Sequence, residues 1–151
     1  MAHGRIGNPT LSKNWLACAA NTGAPCNFVY TLDTNAVLYY LRNDSAVVSL
    51  LEQATARGEV VNLSVITEAE LFSFPALSAQ EEAAIERLLL LFPVMLVDSR
   101  VAREAGSLRR EYRLKLPDSL IAATALILGS SLITRNVKDF KKIRNLSIIA
   151  I

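Results

Sequence analysis

The sequence predicts an α/β fold of three layers, in which a central parallel sheet of about five strands is flanked by helices. Short runs of aliphatic, aromatic or β-branched residues alternate with segments of helical periodicity. Strands separated by helices require crossover connections, which make the sheet parallel and cover both of its faces. With 151 residues, 52% hydrophobic and 20% charged, the chain is long and apolar enough for one folded domain.

The strands are predicted where an apolar run is too short for a helix. Phe28 to Leu32 is the clearest, because it is rich in aromatic and β-branched residues. The predicted strands are 28–32, 60–63, 94–97, 131–134 and 146–150.

The helices are predicted from capping residues, terminators and apolar periodicity. Ser78 and Glu81 form a capping box, Pro75 stops the helix before it, and Gly58 and Gly129 each end a helix. In order, the predicted helices run from Thr34 or Asn35, as N-cap, to Leu41; from Asp44 or Ser45 to Gly58; from Thr67 to Phe74; from Ser78 to Phe92; from Val101 to Arg113, capped by Asp98 or Ser99; and from Pro117 to Gly129. The stretch 135–144 is a basic loop.

The composition excludes several classes of protein. The only histidine is His3, which argues against a histidine-based catalytic triad or zinc site. Cys18 and Cys26 match no metal or redox spacing, so we expect free thiols in a cytoplasmic protein. No apolar run approaches the roughly 18 residues of a membrane span. Residues 1–27 contain no acid, and we expect a flexible N-terminal extension followed by a domain at 28–151.

Acidic residues stand where predicted strands end or helices begin. Asp33 follows the first strand, Glu68 and Glu70 follow the second, Asp118 opens the apolar helix, and Asp139 lies just past the fourth strand. In a parallel sheet these points can lie along one edge. Because clustered carboxylates repel one another unless a cation compensates, and because His and Cys are absent from the set, the pattern indicates Mg²⁺ or Mn²⁺.

Each acid also has a local explanation. Asp33 fits a turn before a helix. Glu70 fits a capping box with Thr67. Asp118 fits stabilisation of a helix dipole, and Asp139 fits a solvated loop. Only the joint pattern favours a shared site.

Four segments in this order resemble the PIN-domain family, most closely the VapC-type toxin ribonucleases. The segments are Leu32 to Asn35, Ser64 to Thr67 with Glu70-Leu71, Pro117 to Ala125, and Thr134 to Asn136 with Lys138 to Phe140. The resemblance covers residues from Phe28 onward. It implies a PIN-like nuclease domain that cleaves RNA with a bound metal, forms a homodimer and is restrained by a protein antitoxin, with no membrane involved.

The resemblance also implies roles for particular residues. Asp33, Glu70 and Asp118 match the acids that hold the metal, and the Glu-Leu pattern favours Glu70 over Glu68. At the fourth catalytic position stands Asn136, so Asp139 would supply the charge and Asn136 would orient a water or bind phosphate. Thr34 and Thr134 would support the carboxylates by hydrogen bonds.

Basic residues are needed to hold RNA beside an acidic pocket. The group after the fourth strand is the first candidate, and the group before Asp118 is equally well explained as a solvated face. These groups are Arg135, Lys138, Lys141, Lys142 and Arg144, and Arg109, Arg110, Arg113 and Lys115. Tyr39 and Tyr40 either stack on bases or pack in the core or a dimer. The mean hydropathy of +0.30 is consistent with a surface buried in a partner.

Two other functions remain open. A PIN fold without strong catalysis would serve as an RNA- or protein-binding module. An aspartyl-phosphate phosphatase would use Asp33 as nucleophile, but it needs an acid two residues later, where Asn35 stands.

Overall fold

The computed structural model describes residues 28–151. The expected N-terminal extension, with both cysteines, lies outside the described residues.

The described chain forms a five-stranded, all-parallel sheet in the order β3-β2-β1-β4-β5, which confirms the predicted fold class. The first strand is central, since Leu32 pairs with Leu63 on one side and Ile133 on the other. The strands are β1 (Val29–Leu32), β2 (Val60–Ser64), β3 (Val94–Met95), β4 (Ser131–Thr134) and β5 (Ser147–Ala150).

Helices connect the strands and cover both faces of the sheet. The residues that the structure describes form α1 (Thr34–Leu41), α2 (Ser45–Ala56), α3 (Val65–Phe72), α4 (Ala79–Leu91), α5 (Ser99–Tyr112), α6 (Leu116–Leu128) and the short α7 (Val137–Phe140). None of these helices combines the length and the apolar character needed to cross a membrane. The capping box at Ser78 and the helix end at Gly129, with φ of 61°, are as predicted.

Several boundaries differ from the prediction, and three elements show the differences that matter for the site and the sheet. The N-cap of α1 is Asp33, not Thr34 or Asn35, because the Asp33 carboxylate accepts the Thr34 N–H. Helix α3 begins at Val65 rather than Thr67, because the Ser64 hydroxyl caps it from the last residue of β2, and it ends at Phe72. Strand β3 pairs over two residues only, where four were predicted.

Two hydrophobic cores lie on opposite faces of the sheet. Ile133 packs with β1, β2 and helices α1 to α4, whereas the adjacent Leu132 packs with α5, α6 and Phe140. Successive side chains of a strand point to opposite faces, so this division is what a sheet covered on both sides requires. The cores leave the carboxyl edge of the sheet free for polar groups.

Candidate active site

Four carboxylates meet at the carboxyl edge of the sheet. Asp33 follows β1, Glu70 lies in α3 after β2, Asp118 lies in the first turn of α6, and Asp139 lies in α7 after β4. These acids are close enough for their charges to affect one another. Burial is the largest cause that raises the pKa of Asp118, and the charges of Glu70 and Asp139 raise it further. The charges of Asp118 and Glu70 likewise raise the pKa of Asp33. The structure therefore brings together the acids that the sequence predicts to share a site.

Asp33 is the most buried of these acids, with 3% of its surface exposed. Its Oδ1 accepts the Thr34 N–H at 2.8 Å and its Oδ2 accepts the Thr134 hydroxyl at 2.7 Å. These bonds lower the pKa of Asp33, but burial outweighs them and raises it to about 6. Within residues 28–151 the one ion pair is between Arg57 and Glu59, so no Lys or Arg of that range pairs with Asp33.

Glu70 is held from the neighbouring helix. The Thr34 hydroxyl donates to Glu70 Oε2, so Thr34 connects two acids: its N–H binds Asp33 and its hydroxyl binds Glu70. Thr67 lies inside α3, whose N-cap is Ser64, so Thr67 and Glu70 do not form the capping box that the sequence allows. Glu68 takes part in none of the hydrogen bonds of the described chain at this edge. Glu70 is therefore the residue of the pair that faces the site.

Asp118 is half-buried and is held differently from Asp33. No side chain caps α6, and the helix start is secured instead by the Ser119 hydroxyl, which donates to the Leu116 carbonyl at 2.7 Å. The positive charge of Lys115 partly offsets the effects that raise the pKa of Asp118. Its carboxylate is thus placed by the helix backbone alone.

Asn136 and Asp139, the two residues predicted for the fourth position, are in contact. Asn136 Nδ2 donates to Asp139 Oδ2 at 3.0 Å, and the Asn136 N–H donates to the Thr134 hydroxyl at 2.9 Å. Because Thr134 in turn donates to Asp33, a continuous series of hydrogen bonds runs from Asp33 to Asp139. Asn136 and Asp139 therefore belong to the same hydrogen-bonded series as Asp33.

One buried hydroxyl near this edge has no partner in the described chain. Thr67 is fully buried, and its Oγ1 makes no hydrogen bond. It lies one turn before Glu70, on the same side of α3. A buried water is the usual partner of such a hydroxyl in folded proteins. The burial of Thr67 depends on tertiary packing, so no local pattern in the sequence could single out this residue.

The donor set fits a hard divalent cation that keeps part of its water. All candidate ligands are carboxylate oxygens, which Mg²⁺ and Mn²⁺ prefer. Within residues 28–151, however, no three or more acids, histidines or cysteines are spaced to hold one ion by themselves. Mg²⁺ is usually bound by one or two carboxylates with several waters retained, and this set can provide that arrangement.

The predicted RNA-binding side chains lie on the surface. Those after β4 are exposed on the segment that leads to β5, and those before Asp118 are exposed at the end of α5. They are Arg135, Lys138, Lys141, Lys142 and Arg144, and Arg109, Arg110, Arg113 and Lys115.

The two tyrosines of α1 already have partners. The Arg135 guanidinium stacks on the Tyr39 ring, with 4.1 Å between its Cζ and the ring centroid. Tyr40 meets Phe92 edge to face, with 6.2 Å between ring centroids. The contact between Tyr39 and Arg135, separated by 96 positions in the numbering, had no signal in the sequence.

Comparisons with known proteins identify the family of this chain. The model of the PIN domain family matches residues 30–146. Ribonuclease VapC19 of Mycobacterium tuberculosis is 32% identical over 114 residues, which cover 72% of this chain and 90% of that protein. Ribonuclease VapC1 of Haemophilus influenzae is 30% identical over 126 residues, which cover 78% of this chain and 94% of that protein.

Solved structures show the same fold. VapBC2 from Rickettsia felis, bound to a DNA fragment from its promoter, superimposes with a TM-score of 0.74 at 26% identity, covering 82% of this chain and 99% of that one. VapBC-1 from nontypeable Haemophilus influenzae gives a TM-score of 0.69 at 27% identity, covering 82% and 98%. The chain belongs to the PIN-domain family and, within it, to the VapC type.

Proposed function

We propose that this protein is a ribonuclease of the VapC type, the toxin of a toxin–antitoxin pair, and that it hydrolyses RNA phosphodiester bonds at a site that holds Mg²⁺ or Mn²⁺. The observation that carries the proposal is the carboxylate of Asp33. It is buried, it has no cationic partner in residues 28–151, and the charges of Asp118 and Glu70 act on it, with Asp139 close to Asp118. Family membership supplies the reaction class.

Asp33, Glu70 and Asp118 are the proposed metal ligands, and Asp139 is the fourth catalytic acid. The chain orients two of these ligands in advance: Thr134 and the Thr34 N–H fix Asp33, and the Thr34 hydroxyl fixes Glu70. Such hydrogen-bonded support keeps ligating carboxylates in one geometry. Asp118 is not fixed in this way, so it can adjust to the ion and substrate.

A divalent cation bound to these carboxylates would supply Lewis acidity and a water of lowered pKa. Residues of the chain would do the remaining work. Asn136, whose amide binds Asp139 and whose N–H binds Thr134, lies between the acids and the basic segment, where it can contact a phosphate or a water. Lys138, Lys141 and Lys142, with Arg135, would hold the RNA backbone against the repulsion of the acids.

The proposed protein partner is an antitoxin. A solved structure at 29% identity, with a TM-score of 0.65, is described as a toxin-antitoxin complex from Klebsiella pneumoniae. In this chain a groove of about 340 Å³ between α1 and the start of α4 is lined partly by apolar side chains, including Leu38, Phe74 and Ile85. Several other large apolar side chains are exposed, among them Leu90 at 86% and Leu96 at 75%. A second copy of this chain and an antitoxin are the partners we propose for these surfaces.

A binding module without strong catalysis is the second candidate, and one observation favours it. The described acids do not form a closed ligand set for one ion. Thermal unfolding with and without Mn²⁺ separates the two functions, because a ligand that binds only the folded state raises the melting temperature. An unchanged melting temperature, in a protein that does not cleave RNA, would favour the binding module.

The test of the proposed function is cleavage of a mixed-sequence fluorogenic RNA by the purified protein. The reaction is run with Mn²⁺, with Mg²⁺ and with EDTA. We expect cleavage with a metal, none with EDTA, and none with the Asp33→Asn variant. Cleavage that persists in EDTA, or in that variant, would refute the proposed site. Trapping of an aspartyl-phosphate on Asp33 would instead establish the phosphatase.

A further inference from the structure

We propose that Tyr39 is a positioning residue that holds Arg135 ready to bind a phosphate of the RNA strand. This inference rests on the proposed function. Arg135 directly follows Thr134, the hydroxyl partner of Asp33, so its backbone lies beside the acid site. Tyr39 comes from α1, the helix that begins at Asp33 and Thr34. The two residues therefore belong to the elements that build the site.

Two contacts fix the guanidinium of Arg135. Its Cζ lies over the Tyr39 ring, 4.1 Å from the centroid, and its Nε donates to the Ile151 carbonyl at 3.2 Å. A stacked arginine at an exposed position loses much of its rotational freedom, although the side chain remains in contact with solvent. The structure thus keeps an exposed cation in one place.

The remaining donors of Arg135 are available to a ligand. Neither Nη1 nor Nη2 bonds to any residue of the described chain. A guanidinium binds phosphate through N–H groups in its own plane, and stacking leaves those edges open. The ionised acids of the site repel an RNA backbone. A cation that is already fixed loses less conformational freedom when it binds phosphate, so it contributes more to affinity than a mobile one.

Tyr39 itself is suited to a supporting role. It is partly buried and packs against the core on the α1 side of the sheet, so its position is set by the fold. Arg135 covers one face of the Tyr39 ring, and the side chain also packs against the core. Tyr39 would therefore affect RNA through Arg135, and not by stacking on a base.

The first test measures binding of a fluorescein-labelled, mixed-sequence single-stranded RNA in an Asp118→Asn background, which prevents cleavage. Tyr39→Leu removes the aromatic face, and Tyr39→Phe keeps it. We expect Tyr39→Leu to weaken binding about two- to fivefold and to reduce the salt dependence by about 0.7 in slope, as the loss of one phosphate contact does. Tyr39→Phe should bind as the parent does. Tyr40→Leu, on the same helix, is the matched control for loss of a ring.

The double variant tests whether Tyr39 acts through Arg135. Tyr39→Leu combined with Arg135→Gln should bind no more weakly than Arg135→Gln alone. Additive losses would overturn the proposal, as would equal weakening by Tyr40→Leu. Arg135→Lys does not alter α1, so it is the variant to test if Tyr39→Leu does not fold. It keeps the charge but not the planar stack, so it should weaken binding, and binding at the parent level would also overturn the proposal.

Kinetics complete the test in the otherwise unchanged protein. Tyr39→Leu should raise KM with kcat nearly unchanged, because the group acts on bound RNA and not on the reacting atoms. A fall in kcat at constant KM would contradict the assignment. If the unaltered protein cleaves no RNA, the proposed function fails; if it cleaves and the Tyr39 variants behave as the parent does, only this inference fails.

Discussion

One acidic side chain is buried at the amino edge of the sheet, where the strands begin, and another at the carboxyl edge, where they end. The two differ in the charges around them. Glu59 lies at the amino edge, before β2, and its side chain is 4% exposed. Arg57 binds both of its oxygens, at 3.0 and 2.9 Å, and the Tyr30 hydroxyl donates to it at 3.1 Å. Asp33, at the carboxyl edge, is 3% exposed and is bonded only by a hydroxyl and a backbone N–H.

Glu59 shows how this chain compensates the charge of an acid that has a structural role. At Glu59 the compensating cation lies two residues away in the sequence, and the pair needs nothing from outside. At Asp33 no such cation exists in the described residues, and further acids crowd the same edge. An uncompensated buried carboxylate lowers the stability of a protein. We interpret its retention as the mark of a site completed by a bound cation.

The largest expected effect separates the two acids by activity. Asp33→Asn should reduce RNA cleavage at least about 1,000-fold, since it removes a proposed ligand of the proposed metal ion. Glu59→Gln should leave cleavage within about twofold, because Glu59 lies at the opposite edge of the sheet. Initial rates with Mn²⁺ measure both. A comparable loss in Glu59→Gln would mean that both acids act through stability alone.

The same two variants should shift stability in opposite directions in metal-free buffer. Burial raises the pKa of Asp33 to about 6, so its ionisation destabilises the fold as the pH rises from about 4 to about 6. Asp33→Asn should therefore gain up to about 3 kcal/mol above pH 6 and almost nothing below pH 4. Glu59→Gln should lose about 1–3 kcal/mol at neutral pH, because it breaks charged hydrogen bonds.

Urea unfolding in EDTA at a series of pH values measures these free energies. A gain for Asp33→Asn that is the same at pH 4 and pH 7 would contradict the assignment of the effect to a buried charge.

A smaller effect is expected from the hydroxyl that supports Asp33. Thr134→Val removes the bond to Asp33 Oδ2 and the acceptor of the Asn136 N–H. Loss of a supporting group of this kind costs about 10- to 100-fold in activity. We expect cleavage to rise with pH as Asp33 ionises. Because the Thr134 bond lowers the pKa of Asp33, Thr134→Val should show this rise at a higher pH. Thr134→Ser should restore both rate and profile, and a failure to do so would assign the loss to packing.

The smallest expected change in stability concerns the half-buried acid, Asp118. Asp118→Asn should abolish cleavage, but it should raise the melting temperature in EDTA slightly or leave it unchanged, since burial and the charges of Glu70 and Asp139 disfavour its ionised form. The gain should not exceed about 1 kcal/mol, because favourable interaction with the start of α6 opposes it. Marked destabilisation in EDTA would show that Asp118 serves mainly to stabilise that helix.

The sequence was sufficient for the sheet, the element order and the edge at which the acids meet. Those features follow from local periodicity and from the rule that parallel strands end together. The sequence indicates Thr34 or Asn35 as the cap of α1, whereas Asp33 takes that position, because its carboxylate both caps the helix and lies in the acid site. The start of α3 was missed for a related reason, since Ser64 is both the last strand residue and the helix cap.

Contacts between distant segments could not be predicted. Thr34 and Glu70 are 36 residues apart, and their bond depends on how α1 lies against α3. The same holds for Tyr30 with Glu59, and for Tyr39 with Arg135. In each case both residue types are ordinary in the sequence, and only the packing of the helices and strands gives them a role.

Calorimetric titration of the apo protein with Mn²⁺ tests the central claim most directly. The unaltered protein and Glu59→Gln should bind the ion with equal affinity, whereas Asp33→Asn should bind it more than about 100-fold more weakly, beyond the loss caused by a missing supporting group. If the unaltered protein binds no Mn²⁺, or if Asp33→Asn binds it equally well, the buried acid at the carboxyl edge does not hold a metal.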